Sequence, residues 1–500
     1  MSRKNEVEER YRKLEDADIE VWKTKIRTIA HAPWRQTYHI QPPIGRLGDP
    51  NGFSFFHNQW HLFHQWSPLS PTIGLAYWRH LVSQDLINWK DMGISIRPDC
   101  PYDSHGAYSG SALTIGDKLT ILYTGNVRDN ENNRHAYQIR ADYRDGEPVD
   151  KFSKPVIFRQ PRGYTAHFRD PKMWKAADGS YYLVIGAQTN DEEGTSLIYR
   201  SPDAGEWHCV GRLNPFDKKI GYMWECPNLF WLNEKPVFLF CPQGLDKSLC
   251  HYQNVYPSAY VVGQHLDLKT MRFNPVNPEI HLVDKGFDFY APQVVSNADR
   301  TVLVGWMGVP EVNYPTEKYG WSGCLTLPRE LKLSGGKLLQ QPVDELKDLR
   351  GFRRPVSGQM EEPGALSILP VPGEPAFELD LTLTGTGMTT LNLREDRKQN
   401  KKLRIRLNFE NGLIEVDRRN SGVLFGEKFG TKRYAHFSSG KVRLHIFIDQ
   451  SSFELFVDDG SSVLSGRFFP DGEQVETSVV NESGTVIYSG NHWNLKNVSE

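Results

Sequence analysis

No stretch of the 500 residues approaches the roughly 18 consecutive apolar residues of a membrane span. The first residues, MSRKNEVEERYRKLEDADIE, are charged and hold no apolar segment of the kind an export signal needs. Charge of one sign is lacking too: 59 Lys and Arg stand against 61 Asp and Glu. That balance offers neither a basic stripe for nucleic acid nor a polybasic patch for an anionic membrane. Cysteine is sparse, and Cys100, Cys209, Cys226, Cys241, Cys250 and Cys324 show no CxxC pairing or zinc-ligand spacing. His57, His61 and His64 are interrupted by a turn and lack the spacing of a helical HExxH, so they read as hairpin surface and core. These absences point to a soluble, reduced, cytoplasmic protein that takes a small polar ligand. No cofactor, metal, nucleic acid or membrane partner is expected, and the oligomeric state is left open.

What is present is repetition. GDPNGFSFFHNQWHLFHQW starts at Gly48, SGSALTIGDKLTILYTGN at Ser109, DPKMWKAADGSYYLVIGAQ at Asp170, ECPNLFWLNEKPVFLFCPQG at Glu225 and APQVVSNADRTVLVGWMG at Ala291. Counted from Asp49, the steps are 60, 61, 55 and 66 residues. Each unit has a small or acidic residue near Pro or Gly, an apolar run, a turn and a second apolar run rich in β-branched and aromatic residues. The turns are His57-Asn58-Gln59, Gly116-Asp117, Asp178-Gly179, Asn233-Glu234 and Asn297-Ala298-Asp299, which are hairpin signals. Further strand-like pieces at Leu75 to Leu81, Tyr137 to Tyr143, Ser196 to Ser201 and Ala259 to Leu266 bring each unit to about four strands. Five such units predict an all-β chain with a five-bladed β-propeller around a central channel.

Two flanking regions complete the organisation. In residues 1–30, Tyr11, Leu14, Trp22, Ile26 and Ile29 fall at helical spacing and predict an amphipathic helix, so residues 1–35 are a helical extension. The propeller takes 36–350. LPRELKL, KLLQQPV and a helix-like VDELKDLR lead into a Pro- and Gly-bearing stretch at 363–375, the expected connection. Alternating strands with an Asn411-Gly412 turn follow from Phe377, so 351–500 reads as a C-terminal β-sandwich.

If the first strand of each blade lines the channel, its starting residues, Asp49, Ser109, Asp170, Glu225 and Ala291, converge on one mouth. The second strand runs back, returning Gln65, Asn126, Gln188, Gln243 and Met307 to that mouth. Three of the five starting positions are carboxylates, and a pair flanking one bond is what glycosidic cleavage through an oxocarbenium-like transition state requires. Any one Asp before Pro is also a common turn residue. Trp60, Trp66, Trp78 and Trp89 read as blade packing, with Trp66 and Trp78 the two that could instead form a sugar platform.

GDPNG, YSGS, FRDP, WECP, the Tyr-Ala-Pro-Gln run at 290–293 and TLPREL, in that order, resemble the signature set of glycoside hydrolase family 32. The runs DSHGAYSGS, YTGNVRD, CPQGLD and PEVNYPTEKYGW are most similar to its bacterial intracellular members, which act on sucrose phosphorylated during uptake. The resemblance implies a propeller followed by a sandwich, and a retaining hydrolase of the fructosyl linkage of sucrose 6-phosphate and sucrose. It implies Asp49 as nucleophile, Glu225 as acid and base, and Asp170 as a transition-state stabiliser holding ring hydroxyls. Gly48, Gln65, Tyr108, Ser109, Arg169 and Tyr290 fall at its sugar-contacting positions. With a phosphorylated substrate implied, Arg128, Arg134 and Lys247, on loops that pass over the mouth after second strands, become candidate phosphate ligands; any single one reads as ordinary surface charge, and at least one is expected to bind the phosphate. With those roles, Asp49 is expected ionised, and burial and like charge are expected to keep the proton on Glu225. Gly48 departs from the family's Asn, and Ile73 from the Trp of many invertases. Three rival readings stay open: a hydrolase of free sucrose or fructo-oligosaccharides, an inverting arabinan or xylan glycosidase, and a fructan-binding lectin.

Overall fold

A computed structural model describes residues 9–297, 300–369, 375–472 and 476–498. Five antiparallel sheets occur in chain order, and their innermost strands are Gly45–Phe56, Ala107–Ile115, Tyr164–Lys175, Met223–Leu232 and Tyr290–Asn297. These five pack side by side in a closed ring, the first against the last. Each is followed by its hairpin partner, Gln59–Ser67, Lys118–Arg128, Tyr181–Thr189, Lys235–Gln243 and Arg300–Trp306. The short strand Trp321–Ser322 returns to pair in parallel with Gly45 and Arg46, tying the end of the propeller to its beginning.

The hairpins form where the turn residues call for them. His57-Asn58 and Asn233-Glu234 take positive φ at both central positions, the conformation whose twist matches the flanking strands. Of the turn expected at Asn297-Ala298-Asp299, residues 298–299 lie outside the described residues. Blade faces are filled by aromatic and branched residues, as in the cluster of Trp224, Phe238, Phe240, Val261 and Ile198.

The C-terminal part is a sandwich of two six-stranded sheets whose inner faces meet over Leu379, Leu381, Leu391, Leu393, Ile405, Leu444 and Ile446. The connection lies earlier than expected. Arg350–Met360 and Gly364–Leu369 are already edge strands of the two sheets, and the link from the propeller is the 3-10 turn Asp344–Leu349. Each edge strand pairs on one side only, so GFRRPVSGQM needs few apolar residues and read as linker. Residues 370–374 of the expected connection lie outside the described residues.

The N-terminal helix is broken rather than continuous: Ile19–Ile29 is one helix, and before it the described residues hold a 3-10 turn at Leu14–Asp16 and helical Glu9 and Arg10. Asp18 stops the helix from running further back: its side chain accepts from the backbone N–H groups of Glu20 and Val21 as an N-cap. The apolar residues still share one surface, because Leu14, Ile29, Trp22 and Ile26 pack with Trp66, Tyr77 and Trp321.

Propeller and sandwich meet over buried charge. Arg329 bonds Glu454 at 2.7 Å and Asp284 at 3.1 Å, all three side chains fully buried. His39 bridges Asp449 (2.8 Å) and Glu454 (3.2 Å); burial opposes its charge, but the two carboxylates outweigh burial and raise its pKa. Removing one member strands the others in low dielectric. Arg329→Met is therefore expected to destabilise the fold by about 3–5 kcal/mol, read as a lower urea midpoint, although the residue touches nothing in the channel mouth.

Candidate active site

The mouth is built from five β-bulges. In each inner strand two residues oppose one on its partner: Gly48-Asp49, Tyr108-Ser109, Asp170-Pro171, Cys226-Pro227 and Ala291-Pro292. A bulge bends the strand and re-aims its side chains, and it tolerates Pro because one ladder bond is already forgone. Asp170, Cys226 and Ala291 take φ of 68°, 47° and 49°. Such left-handed conformations are uncommon for residues with a Cβ and persist only when their surroundings hold them.

What holds them is a seam of side chain to backbone bonds crossing the blades. Asn51 accepts from Gly110 N (3.0 Å), Ser111 from Met173 N (3.0 Å), Thr124 from Asp170 N (3.0 Å) and Asn228 from Val294 N (3.1 Å). Asp170 Oδ2 itself accepts from Cys226 N at 2.9 Å. The buried Lys172 ammonium donates to Gln293 Oε1 (3.2 Å) and Val294 O (2.5 Å).

The three carboxylates come together. Asp49 Oδ2 accepts from Ser109 Oγ at 2.5 Å and from Gln65 Nε2 at 3.5 Å, and Gln65 also donates to Ser109 at 2.8 Å. The Cys226 thiol lies 4.0 Å from Asp49 Oδ2 and 3.7 Å from Asp170 Oδ2, between the two acids. Glu225 Oε1 accepts from Arg169 Nε (3.0 Å) and Nη2 (2.7 Å), while Oε2 accepts from Tyr290 (2.6 Å) and Gln243 (2.8 Å).

The electrostatics differ from expectation in one respect. Glu225 is met by four donors rather than by apolar walls and acids, and crowding of like charge falls on its neighbours. Burial, reinforced by the charge of Glu225 and opposed by the Ser109 hydrogen bond and the charge of Arg46, pushes Asp49 up to about 6. Burial likewise raises Asp170, with Arg169 opposing and Glu225 adding to the rise. Sequence spacing placed Trp224 and Cys226 beside Glu225, but Arg169 reaches it from the neighbouring blade.

The remaining candidates sort clearly. Tyr108 sits in the second bulge, its carbonyl bound by Trp78 Nε1 at 3.1 Å. Trp66 and Trp78 are fully buried, Trp66 bonding Ile44 O, so both are packing and not sugar platforms. His57 pairs with Asp145 on the surface and His61 and His64 are core. Of the second-strand ends, Gln65 and Gln243 reach carboxylates, whereas Asn126 and Gln188 tie loops through His105 O and Tyr222 O. Arg128 and Arg134 stand opposite one another beside the site, while Lys247 lies on the exposed turn Lys247–Leu249 over the Tyr252 ring. Cys226 and His167 were not singled out from sequence. Gln243 carried a signal there, since like Gln65 it falls toward the end of the second strand of its blade.

This geometry coincides with what comparison with known proteins finds. The model "Glycosyl hydrolases family 32 N-terminal domain" matches residues 39–342, and "Glycosyl hydrolases family 32 C terminal" matches 350–494. The chain belongs to glycoside hydrolase family 32. Among its relatives, a sucrose-6-phosphate hydrolase of Pediococcus pentosaceus is 41% identical over 92% of this chain and 90% of its own. One from Streptococcus mutans is 39% identical over 97% and 98%. A solved sucrose-6-phosphate hydrolase from Lactobacillus gasseri superposes with a TM-score of 0.93 at 35% identity, covering 99% of both chains. The Bombyx mori GH32 beta-fructofuranosidase gives 0.80 at 32% identity, covering 96% of this chain and 99% of its own.

Gly48 now has a structural description. Its φ is not positive, and an added Cβ would meet Gln65 only at ordinary contact, 3.4 Å from Cβ and 3.6 Å from Oε1. Nothing in the backbone demands glycine there. In Gly110 of the next blade, by contrast, a Cβ would fall 2.1 Å from Leu122 O. Gly48→Ala is therefore expected to keep stability within about 1 kcal/mol of the parent, and Gly110→Ala to lower it by several, with urea midpoints as the comparison.

Proposed function

We propose that the chain is a retaining β-fructofuranosidase that hydrolyses sucrose 6-phosphate, and sucrose more slowly, to fructose and glucose 6-phosphate or glucose. The observation that carries this reading is the single mouth in which Asp49, Asp170 and Glu225 are joined by contacts through Cys226 and Arg169. The relatives named for sucrose-6-phosphate hydrolysis support the substrate. Six free cysteines suit a reducing, cytoplasmic setting, and no described helix is long and apolar enough to cross a membrane.

Asp49 attacks the anomeric carbon of the fructosyl unit, and its Oδ forms an ester as the bond to the glucosyl oxygen breaks. Glu225 gives its proton to that oxygen, then takes one from the water that hydrolyses the ester, so configuration is retained. Asp170, one oxygen fixed by Cys226 N, offers the other to ring hydroxyls whose bonds strengthen as positive charge develops. Gln65 and Ser109 orient Asp49, Arg169 and Tyr290 orient Glu225, and Tyr108 and the open space at Gly48 border the fructose position.

Glu225→Gln is expected to lower kcat by about 10²–10⁴-fold. Proton NMR of the first fructose released should show the β anomer, and the α anomer would remove Asp49 as nucleophile. A variant as fast as the parent would remove Glu225 as the acid, and a parent that binds fructosides without turnover would favour the non-catalytic reading.

The pH dependence follows from Asp49. Its raised pKa means the reactive carboxylate is present above about 6 and is lost as pH falls through that value. On unphosphorylated sucrose, where no substrate phosphate titrates, kcat/KM should show an acid limb near there. Ser109→Ala removes a bond that favours the carboxylate, so it should move that limb to higher pH; an unmoved limb would mean another group controls it.

A further inference from the structure

We infer that a basic corner beside Glu225, formed by Arg128 and Arg134 and aligned by His167, receives the phosphate of the departing sugar phosphate. This rests on the proposed function and assigns the residues that read its phosphorylated substrate.

Arg128 ends the second strand of its blade and Arg134 begins the third, and the two are direct partners on the last rung of that ladder. Like charges directly opposite on a sheet destabilise it. Among the described residues neither guanidinium forms an ion pair: Arg128 donates to Asn132 O (3.0 Å), and Arg134 approaches His167 (3.4 Å). The acid nearest in sequence is already engaged. Asp129 accepts from Glu131 N (3.0 Å), Asn133 N (2.8 Å), Asn133 Nδ2 (3.1 Å) and His135 Nε2 (3.1 Å).

Arg134 is half-buried, and burial together with the charges of Arg169 and Arg128 pushes its pKa down to about 10, the signature of a guanidinium short of counter-charge. Arg134 meets His167 at 3.4 Å, His167 meets Arg169 at 3.0 Å and Arg169 holds Glu225 at 2.7 Å, which places Arg134 at the mouth. A phosphate dianion supplies the missing charge, and two guanidiniums at one corner suit its three oxygens. Lys247, exposed over Tyr252, takes no part in this corner.

His167 links the corner to the chemistry. Its Nδ1 lies 3.4 Å from Arg134 Nη1 and 3.0 Å from Arg169 Nη1, so the ring is neutral and Nδ1 accepts from both. Burial and the surrounding arginines, which lower its pKa to about 4, agree with that state. Arg169 in turn grips Glu225. One imidazole thus spaces the phosphate-reading arginine from the arginine that orients the acid, and His167 is a positioning residue.

The test is the ratio of kcat/KM for sucrose 6-phosphate to that for sucrose. Loss of one charged hydrogen-bonding partner should lower the ratio by about 10- to 100-fold in Arg128→Ala and in Arg134→Ala, and further in the double variant. Arg134→Gln, which keeps the bulk of the side chain, covers the case in which alanine disturbs the strand. Arg144→Ala, a surface arginine paired with Asp117, should leave the ratio alone and so controls for overall charge. His167→Asn, whose Oδ1 can replace Nδ1 as acceptor, should keep the ratio, whereas His167→Leu should lower it mainly by raising KM for the phosphorylated substrate. Inhibition by glucose 6-phosphate relative to glucose should weaken in step. A parent enzyme that prefers sucrose 6-phosphate while all the Arg128 and Arg134 variants keep that preference would overturn the assignment and leave the proposed function standing. A parent enzyme with no preference would overturn the phosphorylated substrate itself.

Discussion

Everything at the mouth depends on five strands being bent at the same height. A regular inner strand would point alternate side chains at the blades on either side of it; a bulge adds a residue and turns the local side chains toward the axis. The bulges sit at Gly48-Asp49, Tyr108-Ser109, Asp170-Pro171, Cys226-Pro227 and Ala291-Pro292, so Asp49, Asp170 and Glu225 all lie on or next to one. The unpaired backbone groups this creates are not left to water. Asn51, Ser111, Thr124, Asp170 and Asn228 each satisfy an N–H of a neighbouring blade, so bending one strand is supported by the next. A reactive constellation carried on such elements is held more tightly than one on loops.

On that scaffold the charges divide the work. Three carboxylates share a small volume with one fully engaged arginine, and Arg169 is committed to Glu225. Asp49 and Asp170 carry the cost of burial and of neighbouring negative charge, softened by Ser109 for one and by the charge of Arg169 and the Cys226 N bond for the other. An Asp49 brought to about 6 is still mainly ionised at neutral pH and is more basic than an ordinary aspartate, which suits the role proposed for it, a nucleophile that must bond to carbon and later leave.

The sequence made the architecture legible because the hairpin grammar is local: the apolar runs, the turn residues and the recurring steps between acids all lie within single blades. The convergence of Asp49, Asp170 and Glu225 followed from repetition alone, and Gln65 and Gln243 each fall toward the end of the second strand of their blade. Contacts between blades were not legible. Nothing in WECP announces that Glu225 is held from the preceding blade by Arg169, nor that His167 lies between two arginines. The edge strands at 350–369 escaped because pairing on one side leaves little apolar signature, and the N-terminal helix was overextended because period alone does not show that Asp18 caps it.

The TLPREL stretch shows how the sandwich bears on the site without entering it. Thr326 Oγ1 accepts from Gly305 N in the fifth blade, Leu327 N donates to Glu454 at 2.6 Å, and Arg329 spans Glu454 and Asp284. A few residues earlier, Trp321 and Ser322 pair with Gly45 and Arg46, and Gly323 packs so closely on Leu47 O that a Cβ would fall 2.2 Å from it. One segment therefore closes the ring beside the strand that carries Asp49 and anchors that closure to a second domain. Two strand residues are a weak clasp for a propeller on their own. Joined to a buried network whose members cannot be separated without stranding charge, the clasp resists opening, and the height of the first bulge relative to the other four is maintained.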